Sequence, residues 1–241
     1  FSYLKEHGVT VPLVADIHFD YRLALESIAA GADKIRINPG NIGDADRVRA
    51  VVKACRAAEI PIRVGVNSGS LEKPLLEKYG SPTPEALAES AMRQVGLLEG
   101  MDFGDIVISV KSSSVPSMIA TNRLLSQMTD HPLHLGVTEA GSSYHGAVKG
   151  AVGIGTLLSE GIGDTIRVSL TADPVEEVRA GRAILSSLGL GRPGMDIVSC
   201  PTCGRTKIDL IALVHEFETR VRAEGLADLP VKVALMGCAV N

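Results

Sequence analysis

The chain contains no tryptophan, and aromatic residues make up only 3% of its 241 residues. A core without large rings must be filled by aliphatic side chains, the usual composition of parallel sheets covered by helices. No apolar run reaches the ~18 residues that a membrane-spanning helix needs, and no secretory leader is visible. Basic residues are not in excess: 24 Lys and Arg face 28 Asp and Glu, for a net charge of −4. That balance argues against a nucleic-acid or membrane surface. It leaves room for a small anion held where basic residues are concentrated. Cysteines are few, only four, which excludes a disulfide-stapled scaffold and fits a reducing compartment. Cys55 falls in a predicted helix over 45–59 and reads as a small buried hydrophobe.

The other three cysteines are placed differently. Cys200-Pro201-Thr202-Cys203 closes one predicted strand, and Met236-Gly237-Cys238-Ala239 closes another. Two thiolates separated by a two-residue turn converge on one point. A third from a neighbouring strand end makes three corners of a soft-metal site suited to zinc or an iron–sulfur cluster. The fourth corner must come from a non-cysteine ligand or stay open, and an open position implies chemistry there.

Hydrophobic periodicity alternates between strand and helix. Strands are predicted over 11–18, 34–38, 61–67, 105–111, 133–139 and 165–170, and helices over 21–30, 45–59, 84–99, 116–129, 145–159 and 174–188. Glycines close several helices, and Pro84 and Pro174 open two. Such a series of βαβ units predicts most of a (β/α)8 barrel, with a doubly wound open sheet as the competing architecture. After Leu190 the rhythm changes at Gly191-Arg192-Pro193-Gly194, which reads as a linker. A strand over 196–200, a helix over 207–224 and a strand over 231–236 follow. The expected domains are therefore 1–190 and 195–241.

Within each of the first six strands, alternate residues separate into two faces. One is apolar, as in Ile35 and Ile37, Ile62, Val64 and Val66, and Ile106, Ile108 and Val110. The other carries Asp16, His18, Lys34, Arg36, Asn38, Arg63, Gly65, Asn67, Ser109, Lys111, His134, Gly136, Thr138, Arg167 and Ser169. A barrel interior is ordinarily filled with branched apolar side chains. Here Arg36, Arg63, Lys111 and Arg167 point a cation from four strands toward one interior. Buried cations need counter-charge. One reading pairs them with Asp16 and Glu139 in a structural network. The other makes a pocket for an anion, and this much cation suits a diphosphate. Asn38, Asn67, Thr138 and Ser169 add neutral hydrogen bonds, and His18 at a strand end reads as functional. Lys111 also fits a Schiff-base lysine of a barrel lyase or aldolase with a structural zinc nearby, a reading that leaves the cysteines without a catalytic role. Glu139, beside Thr138, is a candidate proton donor although strict alternation turns it away. The run Gly150-Ala151-Val152-Gly153-Ile154-Gly155 sits inside a predicted helix and reads as close helix packing, not a dinucleotide loop.

Six ordered motifs resemble the 4-hydroxy-3-methylbut-2-enyl diphosphate synthase family. They are Val14-Ala15-Asp16-Ile17-His18-Phe19, Lys34-Ile35-Arg36-Ile37-Asn38-Pro39-Gly40-Asn41, Arg63-Val64-Gly65-Val66-Asn67-Ser68-Gly69-Ser70-Leu71, Leu135-Gly136-Val137-Thr138-Glu139-Ala140-Gly141, Ser199-Cys200-Pro201-Thr202-Cys203-Gly204-Arg205 and Met236-Gly237-Cys238-Ala239-Val240-Asn241. The resemblance implies an α/β chain: a TIM barrel whose first two strands are missing here, followed by a small α/β iron–sulfur domain. It implies reductive ring opening and dehydroxylation of 2-C-methyl-D-erythritol 2,4-cyclodiphosphate to 4-hydroxy-3-methylbut-2-enyl diphosphate, in the non-mevalonate isoprenoid pathway. Cys200, Cys203 and Cys238 are then ligands of a 4Fe–4S cluster. Arg36, Arg63, Lys111 and Arg167, with Asp16, His18, Asn38, Asn67, Thr138 and Ser169, are then substrate-binding, and Glu139 catalytic. The implied partners are flavodoxin or ferredoxin as electron donor and a second copy in a homodimer, in the cytoplasm or the plastid stroma. The family's motif continues past Asn241 to a glutamate that is the fourth cluster ligand. The chain is therefore expected to be an internal fragment, unstable and inactive in isolation because an unclosed barrel exposes strand edges.

Overall fold

The computed structural model describes residues 1–191 and 194–239, with the side chain of Ser70 left aside. The middle of the predicted linker and the last two residues of the final motif fall outside the described residues. Packing divides the chain into two units, Phe1–Ile184 and Leu185–Asn241.

In the first unit β1 (Val14–Asp16), β2 (Lys34–Ile37), β3 (Ile62–Asn67) and β4 (Ile106–Lys111) form a parallel sheet in chain order. A second parallel pair, β5 (His134–Leu135) and β6 (Thr165–Ile166), continues it through the parallel bridges Ile108–Leu133 and Ser112–Val137. Strand order thus runs from first to sixth without the reversal that defines a doubly wound sheet. The helices α2 (Tyr21–Ala29), α4 (Ala45–Ala57), α6 (Pro84–Glu99), α7 (Val115–Met128), α8 (Ser143–Ser159) and α9 (Pro174–Ser187) match the predicted segments within a few residues, and α1 (Ser2–Glu6) precedes them. Several starts are capped in sequence: Asp20, Asp44, Thr83 and Ser114 each accept a bond from a backbone N–H in the first turn. Pro84 and Pro116 stand in first turns, where no N–H is needed.

The apolar face of the strands is the core. Ile35, Ile37, Ile62, Val64, Ile108 and Leu135 are fully buried, as are Val48, Val51 and Cys55 on α4, Leu87 and Leu98 on α6, and Met118 and Leu125 on α7. At roughly 1.5–3 kcal/mol per buried aliphatic side chain, this layer supplies the stability that a polar interior face does not. The glycine run lies within α8, as expected, where Gly153 packs toward Val137 and Met118.

The elements differ from expectation in four places. β1 is three residues, against the predicted 11–18. β5 and β6 are two residues each, far shorter than 133–139 and 165–170. Gly136, with no side chain to pack, follows β5, and only isolated bridges continue the pairing there. Two short helices were not predicted, α3 (Pro39–Ile42) and α5 (Lys73–Tyr79). In α3 the Asn38 side chain caps the start and Pro39 occupies the first position. In the second unit β7 (Asp196–Ser199) and β8 (Lys232–Leu235) pair in parallel, with α10 (Leu210–Ala223) between them in sequence. The helix begins at Leu210, not 207, because the Asp209 side chain caps it.

Candidate functional site

Register decides which polar side chains meet. Asp16 stands opposite Arg36, Arg36 opposite Arg63, and Asn67 opposite Lys111. Arg36 donates from Nη1 to Asp16 Oδ1 at 2.7 Å and to His18 Nε2 at 3.2 Å. A guanidinium always donates, so the His18 ring accepts at Nε2 and carries its proton on Nδ1. Burial raises the Asp16 carboxyl, but the charge of Arg36 and its hydrogen bond outweigh that and hold it below the usual range. The network reading therefore holds for Asp16 and Arg36. It fails for Glu139, which is exposed and has no described hydrogen bond or ion pair.

The other three cations make no close ion pair among the described residues, although the charge of Asp16 reaches Arg63 and Lys111. Lys111 and Arg63 are half-buried and Arg167 is exposed. Burial and the charges of Arg167, Arg63 and Arg36 push the Lys111 amine down to about 7. Burial lowers Arg63 as well; the charge of Asp16 opposes this but is outweighed by burial together with Arg36 and Arg167. Two like charges ~7 Å apart at an effective dielectric of ~20 repel by about 2 kcal/mol. A bound anion would relieve several such repulsions at once. Two backbone gaps make room for these side chains. A β-carbon on Gly65 would lie 2.1 Å from Arg36 Nε, and one on Gly136 would lie 3.2 Å from Lys111 Cε.

The neutral candidates are placed as follows. Asn38 is buried, and its Oδ1 accepts from the Gly40 N–H at 3.0 Å, leaving only its Nδ2 to donate elsewhere. Asn67 closes β3, whereas Thr138 and Ser169 lie three residues past β5 and β6; all three are half-buried. Glu139 has a left-handed backbone, φ 52°, so the two-residue alternation that turned it away does not extend to it. Two residues of this face carry more than the sequence reading gave them. Lys34 lies close enough to Arg63 to feel its charge. His134 is buried and bonds through Nδ1 to Thr165 Oγ1 at 2.8 Å. Both were visible in the alternation, and Lys34 opens one of the family motifs, but neither was given a role. Below the rim, Glu72 accepts from Ser90 Oγ at 2.7 Å and Gln94 Nε2 at 2.6 Å, tying the segment after β3 to α6.

In the second unit the ladder pairs Ser199 with Leu235, so Cys200 and Cys238 leave the same end of the β7–β8 pair. The three cysteines are free thiols. Hydrogen bonds from the Arg205 backbone and side chain and from Thr206 lower the Cys203 thiol below its ordinary value. The donor types suit a soft, thiolate-bound group, but the convergence of three thiolates expected from their spacing is not seen among the described residues. Among the described residues no three His, Cys, Asp or Glu side chains gather as ligands of one metal ion would.

The profile of the GcpE TIM-barrel domain matches residues 3–182, and that of the GcpE protein C-terminal domain matches 196–241. The chain belongs to the GcpE family. Among GcpE relatives, a 4-hydroxy-3-methylbut-2-en-1-yl diphosphate synthase (flavodoxin) from Clostridium perfringens is 60% identical over 233 residues, covering 97% of this chain and 66% of that protein. One from Caldanaerobacter subterraneus is 60% identical over 238 residues, covering 99% and 66%. The chain thus spans just under two thirds of these GcpE proteins. A solved type I 3-dehydroquinate dehydratase from Clostridium difficile superposes with a TM-score of 0.52 at 15% identity, covering 77% of this chain and 72% of that one, a likeness of fold alone.

Proposed function

We propose that this chain is the substrate-holding and cluster-holding part of an enzyme that opens 2-C-methyl-D-erythritol 2,4-cyclodiphosphate reductively and removes a hydroxyl, giving 4-hydroxy-3-methylbut-2-enyl diphosphate. The observation that carries it is the interior face with three cations, Arg63, Lys111 and Arg167, that make no close ion pair among the described residues. The relatives' names supply the substrate class.

In this reading residues 1–190 are part of a (β/α)8 barrel and 195–241 part of an iron–sulfur domain. Arg63, Lys111 and Arg167 take the diphosphate oxygens, with bidentate contacts open to the two guanidiniums. Arg36, held by Asp16 and His18, adds fixed positive charge without having to reorganise. Asn38, Asn67, Thr138 and Ser169 supply neutral contacts at the rim. Glu139 gives a proton to the departing hydroxyl, which leaves as water. Cys200, Cys203 and Cys238 are the residues that would hold a 4Fe–4S cluster, which when bound supplies the two electrons this reduction consumes. Flavodoxin, printed in the relatives' names, is the proposed donor, ferredoxin its alternative, and a homodimer the working form.

Anaerobic loading with iron and sulfide tests the reading. About four irons per chain, and a reduced-state paramagnetic signal that moves when the cyclic diphosphate is added, support it. One zinc per chain with no cluster formed would overturn it. The lowered pKa of Lys111 also suits an amine nucleophile. Borohydride trapping of a carbonyl compound on Lys111 would favour that second reading.

A further inference from the structure

His134 lies on β5 in the middle of the interior face, and only 5% of its surface is exposed. Its Nε2 is buried and has no hydrogen-bond partner. Buried polar atoms are nearly always satisfied, so an orphan marks a function or a bound group. The ring is fixed from the other side by Thr165, the residue directly opposite on β6. Around it stand Arg63 of β3, Lys111 of β4, Lys34 of β2, and Arg167 just past β6. Burial and these charges push the imidazole down to about 2, so the ring is neutral. A neutral ring has two tautomers. Positive charge all round favours the one whose lone pair faces the cations. The Nδ1–H then donates to Thr165 Oγ1, and Nε2 is an acceptor.

Among those cations Lys111 leans on the same strand. Its Cε lies 3.2 Å from where a β-carbon on Gly136 would be, just past β5 and two residues on from His134. We propose that His134 is a positioning residue for Lys111: Thr165 fixes its ring so that Nε2 accepts from the Lys111 ammonium, directly or through one water. An acceptor without charge steadies the lysine without neutralising the site, as an aspartate there would. That Lys111 then serves an anion rests on the function proposed above, but the contact itself does not.

The test follows the Lys111 Cε signal by carbon NMR of 13C-lysine-labelled chain, assigned by its loss in Lys111→Arg. The charged groups facing Lys111 are Arg167, Arg63, Arg36 and Asp16, and all stay in place. In His134→Leu the Lys111 titration midpoint should fall by about one unit, a tenfold change in proton affinity. In His134→Gln, which keeps a neutral acceptor, it should hold. Thr165→Val, which frees the ring to switch tautomer, should lower it by a smaller amount. An unchanged midpoint in a folded His134→Leu overturns the proposal. If that variant does not fold, an unchanged midpoint in Thr165→Val overturns it instead. Inorganic pyrophosphate separates the two claims. If it leaves the Lys111 signal of the unsubstituted chain unmoved, the anion reading fails while the His134–Lys111 contact is still judged by the variants.

Discussion

The guanidinium of Arg36 fills the space in which Gly65, on the next strand, would carry a side chain, with Nε 2.1 Å from the position of the missing β-carbon. The same guanidinium bonds Asp16 on β1 through Nη1 at 2.7 Å while its Nε lies over Gly65 on β3. Gly65→Ala should push the guanidinium out of this slot and break the pair. Arg36 is only 10% exposed at its side chain, whereas Asp16 is 40% exposed. The cost should therefore fall below the 3–5 kcal/mol of a broken fully buried pair, at about 1–3 kcal/mol. Urea denaturation measures it. Asp16→Asn should give a smaller loss, and equal stability of Gly65→Ala and the parent chain would show that Arg36 has another seat.

Lys111 makes anion binding depend on pH. Its amine titrates at about 7 in the free chain, lowered by burial and then by Arg167, Arg63 and Arg36. An anion beside it favours the ammonium, so the bound-state value is higher. The sign follows: binding takes up a proton, and affinity for pyrophosphate falls as pH rises from about 7 toward the bound-state value. Calorimetry in buffers of different ionisation heat should show proton uptake at pH 8 and little at pH 6. Lys111→Met should weaken binding and remove most of that uptake. The same shift bears on folding. The unfolded lysine holds its proton up to about 10.4, so this group's contribution to stability rises as pH climbs from about 7 through that window.

Strand alternation made both faces of the sheet legible before any coordinates. Ile35, Ile37, Ile62 and Val64 are in the core, and Arg36, Arg63 and Lys111 are on the face opposite. Alternation does not say which cation is compensated. That depends on register, which sets Asp16 across from Arg36 and leaves Arg63 beyond it. Nor could alternation reach Glu139, because the pleat ends where its φ turns positive. His134 was visible as a polar interior position, but its missing partner is a property of three-dimensional packing. The cysteine spacing pointed to one end of one small sheet, and the β7–β8 register agrees.

The four cysteines should react in a definite order. Cys203 is exposed and its thiol is lowered by bonds from Arg205 and Thr206, so it gives up its proton more readily than an ordinary thiol. Cys55 is buried, and burial pushes its thiol up to about 12. Brief treatment with iodoacetamide followed by peptide mass spectrometry should find Cys203 modified first and Cys55 spared until the chain is unfolded. Prior anaerobic loading with iron and sulfide should protect Cys200, Cys203 and Cys238 together. Protection of fewer than these three would remove one of them from the proposed ligand set.

Glu139 sits in the left-handed region at φ 52°, which costs a residue with a side chain roughly 1–2 kcal/mol. Glycine adopts that backbone freely but loses more chain entropy on folding, roughly 0.5–1 kcal/mol. The difference predicts that Glu139→Gly raises stability by up to about 1 kcal/mol, read as a higher urea midpoint. Glu139→Gln, which keeps the strain, should leave the midpoint where it is. Neither change should alter pyrophosphate binding, since the carboxyl has no described bond to the cations. The proton-donor role proposed above would account for a strained, exposed carboxylate where glycine is expected to be more stable. A lower midpoint in Glu139→Gly would instead show that the side chain has a stabilising contact in solution. The proton-donor role would then lose its structural support.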